Sequence, residues 1–102
     1  MNIISGRKVV TTAGTRVQLS ATHRPVRKII ISAFTNNTNP VTVGSVDVIG
    51  ALATREGIPV APVAAASVKI CESQVEFCDI DLFDIWLDSI TSGEGITYTY
   101  FY

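Results

Sequence analysis

The sequence is poor in charge. Charged residues make up 17% of the 102 residues and hydrophobic residues 47%, whereas a soluble domain usually has roughly 25% charged residues. The formal net charge is −1, so no net field favours nucleic acid or a charged membrane surface as a partner. With so few charges, the exterior must consist largely of small polar and apolar side chains. We therefore expect part of it to be covered in an assembly.

The residue types that build active sites are also scarce. The single histidine, His23, lies in the loop-like segment ATHRP, whereas a Ser-His-Asp or Cys-His arrangement needs a histidine held by a third group. The isolated glycines at 44, 50 and 57 form no phosphate-binding loop. No apolar run reaches the roughly 18 residues of a membrane span, and MNIISGRKVV does not resemble a secretion signal. These features predict a protein that is not an enzyme, needs no cofactor and binds no small molecule, nucleic acid or membrane.

Cysteines and aspartates supply the only metal or redox candidates. Without a secretion signal, Cys71 and Cys78 are expected to be reduced thiols, half-buried in the fold, and a disulfide across the turn ESQVE is the alternative. Four aspartates are closely spaced: Asp79, Asp81, Asp84 and Asp88. Strand alternation would place Asp79 and Asp81 on one face as a corner for calcium, but the EF-hand spacing is absent. We predict no metal site and leave calcium and the cysteine pairing open.

The charges divide by sign along the chain. The first 28 residues contain basic residues and no acid, whereas no basic residue follows Lys69. One interpretation is that the two halves form neighbouring strands whose charges pair within the fold. The other is a subunit that is basic on one side and acidic on the other and docks head to tail.

Branched residues favour an all-β fold. Valine, isoleucine and threonine together supply about a third of the chain, and these side chains suit a pleated surface. The predicted strands are RKVVTT, TRVQLS, VRKIIISAF, VTVG, SVKIC, VEFCDI, DIWLDSI and ITYTYFY, with a long loop between Ser45 and Ala66. Seven or eight short strands predict one domain over residues 1–102, a small antiparallel β-sandwich resembling a jelly roll. Residues 1–5 are expected to form an extended N-terminal arm that reaches a neighbouring subunit.

The C-terminal segment EGITYTYFY is unusually apolar for a chain end. In a strand, Ile96 and the three tyrosines that follow it alternate with Thr97, Thr99 and Phe101, so the two sets face opposite sides of a sheet. A hairpin through TSGEG is expected to place this strand beside DIWLDSI and to bring the tyrosines near either Trp86 or the face formed by Ile85 and Leu87. The expected contacts with another subunit are Ile3, Ile4, Phe101 and Tyr102. The alternative is a sugar-stacking platform formed by Trp86, Tyr98 and Tyr100.

Several segments together resemble a family of small β-sandwich proteins from tailed bacteriophages. They are RKVVTTAGTRVQLSAT, PVTVGSVDV, GIPVAPVAAASVKI and FDIWLDSITSGEGITYTYF. The family pattern is a threonine-rich opening, a Val-x-Val-Gly strand, a Gly-x-Pro loop, an Asp-Ile-Trp/Tyr strand, a Gly-acid-Gly turn and an aromatic end. The resemblance covers nearly the whole chain, and the chain departs from the pattern at PVAAAS and CESQVEFC.

The resemblance implies a structural protein of the virion, assembled in the host cytoplasm. The leading expectation is a capsid cement or decoration protein that binds the major capsid protein or other virion proteins and forms a homo-oligomer. A neck, tail or head-fibre accessory protein is the alternative within the same class. A carbohydrate-binding β-sandwich used in host attachment is the alternative from a different class.

Overall fold

The described part of the chain folds into eight strands and one short helical turn. The computed structural model describes residues 2–34, 37–51, 53–61 and 74–102. The strands are β1 (Ile3–Val9), β2 (Val17–Gln18), β3 (Pro25–Ala33), β4 (Val41–Gly44), β5 (Ile58–Val60), β6 (Gln74–Asp81), β7 (Trp86–Ser89) and β8 (Gly95–Phe101). A 3-10 turn at Leu82–Asp84 is the only helical element within these ranges. The predicted strand SVKIC lies outside the described residues.

The strands form two antiparallel sheets of four strands each. The first sheet has the order β1-β8-β3-β6 and the second sheet has the order β2-β7-β4-β5. Every connection between consecutive strands passes from one sheet to the other, except the one from β4 to β5. This is the strand arrangement of a jelly roll, so the prediction of a small all-β sandwich is confirmed.

The core lies between the sheets and consists mainly of branched aliphatic side chains. Ile29, Ile31 and Ile96 of the first sheet and Val43 and Leu87 of the second sheet are all fully buried. Burying one such side chain stabilises a fold by roughly 1.5–3 kcal/mol. The three consecutive isoleucines at 29–31 do not all point inward, because the middle one, Ile30, is only half-buried. Ile29 and Ile31 therefore face the core, whereas Ile30 lies on a partly covered outer face.

The expected hairpin between the last two strands does not form. β8 belongs to the first sheet, where it lies between β1 and β3, whereas β7 belongs to the second sheet and pairs with β2 and β4. The segment TSGEG therefore crosses from one sheet to the other instead of closing a hairpin. Trp86 and the tyrosines of β8 lie in opposite sheets, so the prediction of adjacent strands was wrong. Tyr100 instead belongs to the same core cluster as Ile85 and Leu87, the alternative neighbours.

Glu94 explains why TSGEG makes this crossing. Its carboxylate is buried and accepts hydrogen bonds from the backbone N–H groups of Thr38 and Asn39, the latter at 3.1 Å, and from the Thr38 hydroxyl at 2.9 Å. The side chain of Asn37 donates to the carbonyl of Gly95 at 2.8 Å. The crossing segment is thus fastened to the loop that leaves β3. A charge-assisted bond to a buried carboxylate is stronger than a neutral one.

The N-terminal residues are part of the sheet. Ile3, Ile4 and Ser5 belong to β1 and pair with Phe101, Tyr100 and Thr99 of β8. Asn2 and Tyr102 exchange two backbone hydrogen bonds, of 2.9 and 3.0 Å. The structure therefore places residues 3–5 in an edge strand instead of an extended arm, because β8 supplies their hydrogen-bond partners within the same chain.

Gly6 makes room for a tyrosine ring on the neighbouring strand. Gly6 pairs with Tyr98, and a Cβ atom at Gly6 would lie 2.6 Å from the Tyr98 hydroxyl oxygen and 2.7 Å from the ring carbon that bears it. Both distances are shorter than any ordinary contact, and the clashing atoms belong to a ring that packs against the core. The absent side chain of Gly6 is therefore a packing requirement of the Tyr98 ring.

We predict that Gly6→Ala lowers the free energy of unfolding by about 1–3 kcal/mol, the usual cost of overpacking. The measurement is urea unfolding of the wild type, Gly6→Ala, Tyr98→Leu and the double variant. Because a leucine side chain lacks the clashing ring, Gly6→Ala should cost at least about 1 kcal/mol less in the Tyr98→Leu background. Equal costs in the two backgrounds would show that the ring does not set the requirement.

Candidate functional site: the outer face of the first sheet and an aromatic depression

The outer face of the first sheet is a candidate surface for binding a partner. We define the outer face by the side chains of β1, β8, β3 and β6 that point away from the core. They are Ile3, Ser5, Arg7, Val9, Thr97, Thr99, Phe101, Lys28, Ile30, Ser32, Gln74, Glu76 and Cys78. A hydrogen bond of 2.9 Å between the hydroxyls of Ser5 and Thr99 confirms that neighbouring strands present these residues on the same side.

The outer face exposes large apolar side chains. Ile3 is 62% exposed and Val9 is 39% exposed, while Ile30 and Phe101 are half-buried. The two predicted contact residues Ile3 and Phe101 are register partners, so the structure brings them together. Val9 and Ile30 were missed by the sequence analysis. Strand alternation from Ile3 and from Lys28 would have identified both residues, had β1 been placed at its true start.

The charges of the outer face have partners within the chain. The Lys28 ammonium lies 3.5 Å from a carboxylate oxygen of Glu76 on the adjacent strand. The Arg7 guanidinium lies 4.4 Å from the centre of the Phe34 ring, in a cation–π contact. The Lys28–Glu76 pair supports the interpretation that the basic and acidic halves meet within one fold. The outer face is therefore nearly neutral as well as apolar.

The tyrosines of β8 form a row that faces inward. The rings of Tyr98 and Tyr100 are 6.0 Å apart, and those of Tyr100 and Tyr102 are 5.9 Å apart. Tyr100 is buried in the core, Tyr98 is half-buried, and Tyr102 is 39% exposed at the end of the sandwich. Arg24 lies over Tyr102 with 5.3 Å between the guanidinium carbon and the ring centre.

The inward orientation of the tyrosine row limits the exposure of two predicted sugar-stacking residues, Tyr98 and Tyr100. Tyr100 cannot stack on a sugar because its ring is buried, and burial of the Tyr98 hydroxyl, with a smaller contribution from Tyr100, raises the pKa of Tyr98. Of the predicted subunit contacts, Ile4 also faces inward, pairs with Tyr100 and packs against the core. Tyr98, Tyr100 and Ile4 therefore stabilise the fold, whereas Ile3, Phe101 and Tyr102 remain available at the surface.

Trp86 lines a shallow depression on the other side of the molecule. The depression has a volume of about 550 Å³ and is lined by Gln18, Ser45, Val46, Phe83, Asp84 and Trp86. Trp86 and Phe83 are half-buried, and Val46 is 52% exposed. The Gln18 side-chain amide donates to the carbonyl of Phe83 at 2.7 Å. The depression thus combines two aromatic rings with amide, hydroxyl and carboxylate groups.

Asp81 fastens the loop before β3 to the 3-10 turn. One carboxylate oxygen accepts from the backbone N–H groups of Arg24 at 2.7 Å and Phe83 at 2.9 Å, and the other lies 2.9 Å from the His23 ring nitrogen Nδ1. The His23 ring also stacks on Phe83 with 4.2 Å between centres. The bond from Phe83 N–H is the largest of the interactions that lower the pKa of Asp81, and burial opposes it.

The four aspartates have separate positions and do not converge on one point. Asp88 is buried and accepts from the backbone N–H groups of Gly50 at 2.8 Å and of Ser89 at 2.9 Å. Asp79 has a positive φ of 50°. It lies where the pairing of β3 with β6 is interrupted, because Arg27 and Asp79 do not pair. Asp84 is exposed beside Trp86. Within the described ranges, no group of three or more His, Cys, Asp or Glu side chains can hold a metal ion.

Cys78 is a free, exposed thiol on β6, so the expectation of a half-buried side chain was wrong for this residue. Cys71 lies outside the described residues.

Across the part of the chain that the structure describes, no helix is long and apolar enough to cross a membrane. Comparisons with protein families, with curated proteins and with solved structures found no match to this chain.

We predict that acid destabilises the fold partly through Asp81. Because its pKa is lower in the folded than in the unfolded chain, its contribution is fully present above the unfolded value and is lost as the pH falls through the folded value. The melting temperature should therefore fall below about pH 4, and less steeply in Asp81→Ala, which should already melt several degrees lower at pH 7. Asp84→Ala is the control, because Asp84 is exposed at the surface. If the melting temperatures of the wild type and of Asp81→Ala fall equally steeply with decreasing pH, this role of Asp81 is contradicted.

Proposed function

We propose that this protein is a non-enzymatic structural protein of a bacteriophage virion, and that it reinforces the capsid as a cement or decoration protein. It binds between capsid subunits through the outer face of the first sheet. The single observation that carries the proposal is this nearly neutral face with exposed or half-buried apolar residues at Ile3, Val9, Ile30 and Phe101. The sequence resemblance to virion β-sandwich proteins supplies the choice of partner.

The physical character of the outer face supports this role. Of the described side chains on the outer face, only three are charged, Arg7, Lys28 and Glu76, so few ions must leave water when a neighbour covers it. The jelly-roll scaffold keeps the surface in one shape, so little conformational entropy is lost on binding. Many copies on one particle then contribute many weak contacts, which together stabilise the shell.

The first test measures binding of the purified protein to capsids prepared without it. Ile30→Thr removes apolar area from the middle of the outer face and keeps a branched side chain suited to β3. We expect it to weaken capsid binding about tenfold or more, equivalent to about 1.4 kcal/mol, with little change in melting temperature. Ile58→Thr is the matched control, because Ile58 is 43% exposed but lies on β5 of the second sheet.

Equal binding by the wild type and Ile30→Thr would remove the outer face from the proposal. Absence of the protein from purified virions, measured by mass spectrometry, would overturn the proposal as a whole. Its presence at the neck, tail or fibre in labelled images would replace the capsid role by the accessory role in the same class.

A second candidate function is carbohydrate binding, and the Trp86 depression is the observation that favours it. Sugars stack their apolar faces on aromatic rings and exchange hydrogen bonds with carboxylates and amides. Trp86 and Phe83 supply the rings, and Asp84 and Gln18 supply the polar groups. The platform is therefore different from the one predicted from the sequence, which combined Trp86 with Tyr98 and Tyr100.

A glycan array with the purified protein tests this second function. If the protein binds carbohydrate at this depression, a specific glycan should bind equally to the wild type and to Tyr102→Ala. Its affinity for Trp86→Ala should be at least tenfold lower. Tyr102 is a suitable control because it is an exposed aromatic residue outside the depression. Absence of any glycan signal, or signal that survives Trp86→Ala, would eliminate carbohydrate binding at this depression.

A further inference from the structure

The edge strand β1 has backbone groups along its outer side that pair with no other described residue. Hydrogen bonds at Asn2 and Val10 join both ends of β1 to β8. Because bonded pairs alternate in an antiparallel ladder, Ile4, Gly6 and Lys8 direct their backbone groups toward β8. The N–H and C=O groups of the alternate residues Ile3, Ser5, Arg7 and Val9 therefore point to the open edge. Among the described residues, no other strand pairs with β1.

These groups specify the chemistry of a partner. A row of alternating donors and acceptors at the spacing of a strand is matched by another strand. The side chains that accompany them on the outer face are apolar at both ends, Ile3 and Val9, and polar in the middle, Ser5 and Arg7. Read in the opposite direction, the order of apolar and polar positions is the same. The edge is therefore complementary to an antiparallel copy of itself.

We propose that two copies of this chain associate through their β1 strands, with Gly6 on the two-fold axis, so that the two first sheets form one continuous sheet of eight strands. In this register Ile3 lies opposite Val9 of the second copy and Ser5 lies opposite Arg7 of the second copy. All four free residues on each strand then form hydrogen-bonded pairs. A two-fold contact of this kind is closed and does not propagate.

Charge selects this register over its neighbours. A shift of one residue in each strand toward the C-terminus would place Arg7 directly opposite Arg7 of the second copy, which is destabilising. A shift the other way would place Arg7 opposite Ile3 and leave Val9 uncovered. In the proposed register no like charges are directly opposed. The Arg7 guanidinium is also held back from the edge by its contact with Phe34.

Charge favours a head-to-tail contact between β1 and β6 of a second copy only weakly. β6 is the other edge of the first sheet, and its acidic residues would face the basic residues of β1. However, Glu76 already lies beside Lys28 in the same chain, which reduces this attraction.

Lys8 is compatible with the two-fold contact. Its side chain lies on the inner side of β1, where an edge lysine usually discourages strand pairing. In the proposed register Lys8 faces Ile4 of the second copy, and Lys8 itself is half-buried. Its aliphatic stem can cover Ile4 of the second copy while the ammonium group reaches water at the end of the sandwich.

The inference rests on the proposed function only in that both concern assembly. Dimerisation is measured with the purified chain alone, so its test needs no capsids. Because one pair of strands lies at the small end of interface sizes, we expect a dimer with a dissociation constant on the order of 10 μM in sedimentation equilibrium. Ser5→Pro removes a donor that points to the open edge, and it should raise this constant at least tenfold. Ser5→Ala is the matched control: it loses the same hydroxyl bond to Thr99, keeps the N–H group and should dimerise like the wild type.

A second variant keeps the test decisive if Ser5→Pro does not fold. The double variant Ile3→Thr with Val9→Thr keeps branched side chains in β1 and removes the apolar contacts, so it should also weaken the dimer at least tenfold. Val46→Thr, which removes an exposed apolar side chain elsewhere, should leave the dimer unchanged. A chain that is monomeric up to about 1 mM, a concentration far above this estimate, or a dimer that survives both β1 variants would overturn the inference.

Disulfide trapping tests the register. With Cys71 and Cys78 replaced by serine, a mixture of the Ser5→Cys and Arg7→Cys chains should form a cross-linked dimer, because residues opposed in adjacent strands are within reach of a disulfide. Ser5→Cys alone cross-linking to itself would show a different register. With Cys78 retained, cross-linking of Ser5→Cys to Cys78 would show head-to-tail pairing with β6.

The two proposals fail separately. If Ser5→Pro is monomeric in solution and still binds capsids, the cement role stands without requiring the dimer. If the dimer forms as described and no capsid binds it, the proposed function is wrong and the β1 contact remains.

Discussion

The pairing of β8 with β1 on one side and with β3 on the other is the constraint on which the structure depends. Through these ladders β8 joins β1, at the edge of the first sheet, to β3 on its other side. They fix which side of β8 faces inward, so Ile96 and Tyr100 enter the core and Phe101 reaches the surface. A shift of β8 by one residue would exchange the two faces. The core and the candidate binding surface therefore share a single register.

Polar side chains hold the crossings between the sheets in place. Glu94 fastens the crossing into β8, Asp88 fastens Gly50 to β7, and Asp81 fastens the loop before β3. Each carboxylate accepts hydrogen bonds from backbone N–H groups that no strand could satisfy at that point. The acidic residues of the C-terminal half, which resemble a cation site in the sequence, are in these cases backbone anchors. These carboxylates therefore act as hydrogen-bond acceptors for the protein's own backbone.

The sequence predicted the composition of the strands better than their partners. Alternation identified most strands, the inward row of Ile96 and the tyrosines, and the all-β class, because these features depend on local spacing. The partner of β8 was missed, since TSGEG has the composition of a hairpin turn and Glu94 acts through Thr38 and Asn39, which are distant in the chain. Ile3 and Phe101 were identified as surface residues. Alternation along β1 and β3 would also have identified Val9 and Ile30, whereas the position of Phe83 beside Trp86 became visible only when the sheets were assembled.

The long-range pairing of β1 also sets the order in which the fold can be completed during synthesis. β1 is paired with β8 residue by residue from Ile3↔Phe101 to Val9↔Gly95, so its native partner is synthesised after the other described strands. At about 5–20 residues per second, β1 waits on the order of 5–20 s for β8. During this interval Ile3, Ile4 and Val9 are exposed on a nascent chain, and a fold dominated by such distant contacts closes slowly. Until β8 has been made, β1 lacks its native partner, and it is the segment that a chaperone would have to protect.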